Sequence, residues 1–516
     1  MILGDRMRDV APPGGPDRRV TLDDLFRRAV ERRPEASALI DPPDRADFTD
    51  GLPRRLSFAQ ADRVVSAIAG RLNGLGLPVD SIVALQLPNI AESALALLGV
   101  LRAGMIAAPV PLLWRQVDMT AALGRIGARA LIASRRVGNV DHGELAMQVA
   151  AETFAIRFVC GFGRELPDGV VPLDDLVDTP SSQTSVAVER AGDPVDHVAI
   201  VTFDVAADGM APVARNHAEL LAGGCAVLLE AKVATDAAIL GALTTSSFAG
   251  LSSIIVPWLI TGGTLTLHQP FNPAVFAAQR ASDRCGLAVL PGALAARLDE
   301  KQDGGPGTVV GVWRTPERLP GSAAWSGSGP GLIDVAVFGE IGLIASRRVA
   351  GGKPVIPVGR VTAPRDAAGA PTVIETARGA AGTVTLRGPM VPRHPFPPGA
   401  ERGERHRLKI GEDGFVDTGY TCRLERNTNN LIVDGPPAGI VTVGGYRFVL
   451  RELQDLVARI DEAGSVAALP DTFAGQRLAG VAHDREAVRL ALAALGANPL
   501  LVAAFRERRI DRASAA

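Results

Sequence analysis

Lysine is nearly missing. Of 54 basic residues only four are lysines, Lys232, Lys301, Lys353 and Lys409, so any chemistry that needs an ammonium has four candidates and none beyond residue 409. Cysteine is as sparse: Cys160, Cys225, Cys285 and Cys422 stand far apart with no Cys-x-x-Cys pair, which argues against a metal knuckle or a disulfide framework and reads as reduced thiols. Charge of one sign is also absent. The net charge is -2, and Arg135-Arg136, Arg347-Arg348 and the run from Arg506 to Arg509 are isolated clusters, which excludes nucleic acid as the expected partner. No long apolar run survives either. The longest, Ala94 to Leu113, is broken by Arg102, Pro109 and Pro111, so no membrane span is expected. The N-terminus has no apolar h-region, which predicts a cytoplasmic rather than a secreted protein.

What remains is a long chain with ample core material. Its 516 residues, 47% of them hydrophobic, predict a large layered body with at least one smaller unit. A Pro/Gly-rich leader over 1–20 reads as loose. Thr21, followed by Asp23 and Asp24, marks a helix start, and Ser57-Phe58-Ala59-Gln60 opens a longer helix through Leu72. Strands are predicted at 81–87, 106–110 and 130–133, with a helix from Ile90 to Leu101 between the first two. Such alternation implies a parallel sheet covered on both faces. From Leu332 short β-like runs between Gly/Pro turns predict a smaller β-rich section. Gly435-Pro436-Pro437-Ala438-Gly439 is the candidate linker. Beyond it come a strand over 440–443, a Gly-Gly turn and helices from Leu450 to Ile460 and from Asp484 to Leu495.

One stretch has the layout of a phosphate loop without its chemistry. An apolar run at 198–201 enters the segment Val201 to His217, and an apolar run from Leu220 leaves it, as strand, loop and helix. Phosphate oxygens call for Gly, Ser and Thr with a Lys beside them. The interior from Asp204 to Arg215 offers one glycine, Gly209, no hydroxyl, no lysine, and two carboxylates, Asp204 and Asp208.

Six stretches in order carry a family likeness. They are Ser57-Phe58, Val83 to Asn89, Leu101 to Val110, Gly382 to Pro389, Asp413 to Gly419, and Val443 to Phe448. From Thr21 to about Val457 the chain resembles the acyl-CoA synthetase, luciferase and peptide-synthetase adenylation superfamily, the AMP-dependent synthetases and ligases. The fold this implies is α/β: a large N-terminal domain of layered α/β subdomains plus a β-rich subdomain over 21–434, and a small, shortened α+β C-terminal lid over 435–516. The activity it implies is activation of a carboxylic acid by MgATP to an acyl-adenylate, then transfer to a thiol such as CoA. That chemistry asks for loop hydroxyls, an acid that holds Mg²⁺, an Asp on the ribose and a lid lysine.

Each of those positions is changed here. The loop lysine falls on Ala211 or, in a second alignment, on Pro212. The aromatic-Gly-x-Thr-Glu motif falls on Phe338-Gly339-Glu340-Ile341-Gly342, so the metal-holding acid is Gly342, with Glu340 two residues away on the same face of an extended segment. The ribose aspartate in Thr418-Gly419-Asp is Tyr420, whose phenol lacks the two acceptors of a carboxylate. The hinge pair becomes Gly435-Pro436, stiffened by the fixed φ of proline. No lysine lies in the lid, and arginine has a different geometry and reach.

The same likeness places His217 just after the loop and Ser247, Phe248 and Gly250 near an acyl pocket. Against this, His217 also reads as a structural residue at a helix start, and Ser247 has no base that would make it a nucleophile. No catalytic residue and no metal ligand is assigned. The expectation is a degenerate acyl-CoA synthetase-like protein that needs no cofactor and binds an acyl or aryl molecule, an acyl-thioester or a protein partner; a homodimer is left open. The alternative is an active fatty-acyl- or aryl-CoA ligase that uses ATP, Mg²⁺ and CoA in a remodelled site.

Overall fold

Two reciprocal capping boxes begin the body. Thr21 accepts from the Asp24 amide at 3.1 Å while Asp24 accepts from the Thr21 amide at 3.0 Å, and Ser57 and Gln60 do the same, so helices Leu22–Arg32 and Phe58–Gly74 start where the sequence places them. Their apolar faces, Leu22, Leu25, Phe26 and Ala29 on one and Phe58, Val64, Val65, Ile68 and Leu72 on the other, enter one core. The computed structural model describes residues 20–178, 188, 190, 192–295, 307–319, 331–349, 352–365, 367–394 and 408–506. The expected leader over 1–19, Lys301, Arg508 and Arg509 lie outside them.

The chain is an α/β protein with a large N-terminal body and a small C-terminal unit. Among the described residues the body holds three large sheets. The first has seven strands, ordered Gly209–Asn216, Val198–Ala206, Ile106–Pro109, Ile82–Gln86, Ala130–Ser134, Phe158–Phe162 and Val171–Pro172. All of its neighbours pair in parallel except the first two. The second has eight strands and a parallel centre, Thr308–Trp313 beside Gly331–Phe338, closed at one edge by the antiparallel strand Gly342–Arg347. The third is six-stranded, has Ile356–Pro357 and Gly359–Thr362 at its edges and is antiparallel throughout. The β-rich section therefore begins later than expected from Leu332. The Phe338 to Gly342 turn folds its second strand back onto the α/β sheet, where every residue from Leu332 to Ala345 except Gly339 is buried.

Gly435 ends the last strand of the body, and Ile440 opens the small unit's own four-stranded sheet. Helices Leu450–Ala458 and Arg485–Ala494 cover one face of that sheet, and its core, from Val441 to Phe505, is drawn from no residue before 441. Among the described residues no helix is long and apolar enough to cross a membrane.

Candidate functional site

The segment with a phosphate-loop layout is no loop. Val198–Ala206 and Gly209–Asn216 form one continuous antiparallel hairpin, in register from Val201 opposite Ala214 to Ala206 opposite Gly209. Ala207 and Asp208 make the turn, and Gly209 follows it at φ 116°. The signal was present in the Asp208-Gly209 pair flanked by alternating side chains. Alternation then separates the residues by face. Phe203 and Met210 pack on one side, beside Trp114, while Asp204, Ala211 and Arg215 turn to the other. Asp208 is exposed at the tip, and Ala211 and Pro212 are buried in the strand.

Asp204 is the centre of what lies on that other face. It is buried, pairs with Arg447 of the small unit, and accepts the Glu340 backbone N–H at 3.0 Å. The Arg447 guanidinium lies over the Tyr420 ring, 5.5 Å from its centroid, and Tyr420 meets Phe338 edge to face at 5.6 Å. Gly339 makes this approach feasible. It sits at φ 56°, and a Cβ there would collide with both the Asp204 carboxylate and Arg447.

Glu340 faces inward. Its Oε2 accepts the Phe248 backbone N–H at 2.6 Å, its Oε1 lies 3.7 Å from Arg314, and its carbonyl oxygen accepts from Arg215. Burial raises its carboxyl above the ordinary range. Arg215 is itself buried, with its guanidinium carbon 3.8 Å from the centroid of the Phe248 ring. A side chain at Gly342 would point at Ile374 and Leu386 in the core, away from Glu340.

Tyr420 is 1% exposed and its hydroxyl has no hydrogen-bond partner among the described residues; burial pushes it up to about 12. Thr418 is buried and donates to the Val384 carbonyl oxygen at 2.8 Å, while the Gly419 amide donates to Asp417 at 2.8 Å. Ser247 caps the turn Phe248–Gly250, accepting from the Gly250 amide at 3.3 Å, and a Cβ on Gly250 would strike the Thr244 carbonyl oxygen. These three therefore pack rather than line an opening. Gly435 pairs with Thr421, and Pro436 follows it into the next unit.

His217 opens helix His217–Ala231 and its Nδ1 accepts the Leu22 N–H at 3.2 Å, tying two helices together. Burial drives it down to about 4, so it is neutral with its proton on Nε2. A histidine held below its unfolded value contributes stability above pH 6.5 that is lost as pH falls toward 4. His142, also lowered to about 4 by burial, adds the same slope, whereas Asp41, raised to about 6 mainly by burial, opposes it. His217→Gln is therefore expected to flatten the loss of unfolding free energy, measured by urea titration, between pH 6.5 and 4.5 relative to wild type, by about 1–3 kcal/mol. An unchanged difference between the two proteins across that window would refute the assignment.

Between the hairpin and the small unit lies a cavity of about 110 Å³. Trp114, Phe203, Met210, Tyr446 and Phe448 supply apolar wall, Arg314 and Arg447 supply cations, and Asp204, Glu340, Asp118 and Glu452 supply acids. Arg314 and Glu340 each follow the carboxyl end of a parallel strand, where open α/β sheets place ligands. Sequence reasoning missed Arg314, Arg447 and the aromatic wall. The signal for Arg314 was its place just past a buried strand; Arg447 stood within the family-like stretch Val443 to Phe448, but nothing local gave it a role. None of the three described lysines is in the wall: Lys232 ends a helix, Lys353 pairs with Glu425, and Lys409 is exposed.

Residues 26–304 match the family described as AMP-binding enzyme. Over 481 residues the chain is 25% identical to 2-hydroxy-7-methoxy-5-methyl-1-naphthoate–CoA ligase of Streptomyces carzinostaticus, covering 89% of this chain and 83% of that protein. Over 483 residues it is 25% identical to the salicyl-AMP ligase / salicyl-S-ArCP synthetase of Mycobacterium tuberculosis, covering 89% and 80%. Among solved structures, apo MbtA of Mycobacterium smegmatis superposes with a TM-score of 0.62 at 21% identity, over 95% of this chain and 90% of that one. The amide bond synthetase McbA of Marinactinospora thermotolerans gives 0.67 at 14% identity, over 93% and 94%.

Proposed function

The chain belongs to the AMP-binding enzyme family, and we propose that it is a member that holds an organic anion, an acyl or aryl carboxylate or its thioester, between hairpin and lid without adenylating it. The observation that carries this reading is the ion pair between Asp204 and Arg447. Where the resemblance calls for phosphate-binding hydroxyls and a lysine, the chain presents a buried carboxylate already matched by a lid arginine.

The residues present do not fit a magnesium triphosphate. Asp204 would repel the phosphates, both oxygens of the Glu340 carboxylate face protein partners, and the Tyr420 hydroxyl is sealed inside. An aryl ligand is supported by the wall of Trp114, Phe203, Tyr446 and Phe448 and by the naphthoate and salicyl compounds named in the two relatives. The thioester part draws on the second relative, whose name includes salicyl-S-ArCP. We place the lid at 435–516, with Gly435-Pro436 as a stiff joint.

A second reading, an active aryl- or fatty-acyl-CoA ligase that uses MgATP and CoA, is favoured by the 25% identity to a CoA ligase along 89% of the chain. Calorimetric titration with MgATP followed by a pyrophosphate assay with aromatic and fatty acids separates the two. Micromolar ATP binding with acid-dependent pyrophosphate would establish the second reading and sink the first.

A further inference from the structure

Among the described residues, hydrogen bonds and ion pairs tie the lid to the body at three separated places. Arg447 pairs with Asp204; the Asn498 side chain donates to Asp118 at 3.0 Å while the Val117 amide donates to the Gly496 carbonyl oxygen at 3.2 Å; and Arg318 donates to the Thr472 and Phe473 carbonyl oxygens at 3.0 and 3.2 Å. Gly445, at φ 87°, brings the lid's β-turn against the Arg314 side chain, where a Cβ would lie 3.2 Å away. These contacts flank the cavity between hairpin and lid.

The first contact differs from the other two. Those bind backbone carbonyls or a neutral amide at the lid's edge. Arg447, by contrast, carries its charge into the cavity wall, is 7% exposed, and has its Nε without a partner among the described residues. A buried guanidinium offers paired donors to a carboxylate or phosphate. Asp204 supplies such a carboxylate from inside the protein, and supplies it only while the lid is down.

We propose that Asp204 is a built-in competitor for Arg447: it latches the lid shut, and an anionic ligand enters the cavity by taking the Arg447 guanidinium from it. The closed arrangement is then a self-inhibited one. Ligand charge that cannot displace Asp204 leaves the lid in place. This rests on the preceding reading only in treating the cavity as an anion site. Acid-dependent pyrophosphate release would sink that reading and leave the latch to the measurements below.

The Val117 amide reports on the latch from a distance, because it bonds across the interface yet belongs to a different contact. Asp204→Asn keeps an acceptor for the Glu340 N–H and removes the charge. In the full-length protein it is expected to speed Val117 hydrogen exchange about tenfold, as local opening becomes easier. It is also expected to tighten binding of benzoate or of inorganic phosphate, measured by calorimetry, about tenfold. A response to benzoate alone identifies an organic carboxylate as the ligand chemistry, and a response to phosphate alone identifies a phosphoryl group. Arg447→Gln is expected to speed the same exchange but to abolish binding of both anions. A charge swap, Asp204→Arg with Arg447→Asp, is expected to restore slow exchange. Unchanged Val117 exchange in Arg447→Gln overturns the latch, whether or not Asp204→Asn folds. Faster exchange with no tightening toward either anion in Asp204→Asn overturns the competition.

Discussion

Pyrophosphate release from this chain, supplied with MgATP and salicylate, a naphthoate or a fatty acid, is expected to stay at the uncatalysed background. The argument is electrostatic. Transfer of a nucleotidyl group to a carboxylate builds charge that must be met by donors already in place, and each such donor is worth about 10²–10³ in rate. The resemblance asks for a loop lysine, loop hydroxyls and a lid lysine, and the chain has none of them at those positions. Two independent losses of that size already amount to about 10⁴–10⁶ in rate. Arg447 is the natural substitute, but its charge is spent on Asp204. Asp204 also adds a repulsion that a simple loss of lysine would not. A coupled pyrophosphate assay checks this directly. Turnover that rises with added acid would mean that the hairpin rearranges around ATP, and the non-adenylating reading would have to be given up.

Glu340→Ala is expected to lower stability by about 3 kcal/mol, while Glu340→Gln is expected to lower it by about 1 kcal/mol or less. Alanine leaves the buried Phe248 N–H without an acceptor and removes a carboxylate facing Arg314. The amide keeps an acceptor for that N–H. Because burial already raises the Glu340 carboxyl, the charge itself contributes less than the hydrogen bond. Urea unfolding of the three proteins measures the order. A metal-holding role predicts no such order, with the alanine and glutamine variants equally stable and both stripped of Mg²⁺-dependent ATP binding. That outcome would refute the structural role.

Much of the architecture could be read locally. Thr21 and Ser57 carry their own capping partners three residues on, so their helices start where the sequence says. The strands at 82–86, 106–109 and 130–134 are short apolar runs bounded by Pro and Gly. Element boundaries shifted by a residue or two, as fraying ends do. The hairpin at 198–216 was misplaced because the family layout outweighed the Asp208-Gly209 turn signal. The extent of the β-rich section was misjudged because nothing local tells whether a hairpin pairs with a new sheet or extends an old one.

The site divides differently. By itself the sequence determined that there are four lysines with none past 409, and the family resemblance implied a tyrosine where an aspartate would stand and carboxylates where hydroxyls would stand. Those are matters of composition and order, and no folding can supply a missing ammonium. Only the tertiary structure decided what Asp204 does instead. Its partner Arg447 is 243 residues away, and its other long-range hydrogen bond is from the amide of Glu340, 136 residues away. Pairing across such distances depends on how the eight-stranded sheet, the hairpin and the lid dock. Docking is set by burial of apolar faces, which carry no local mark of the charge they bring together.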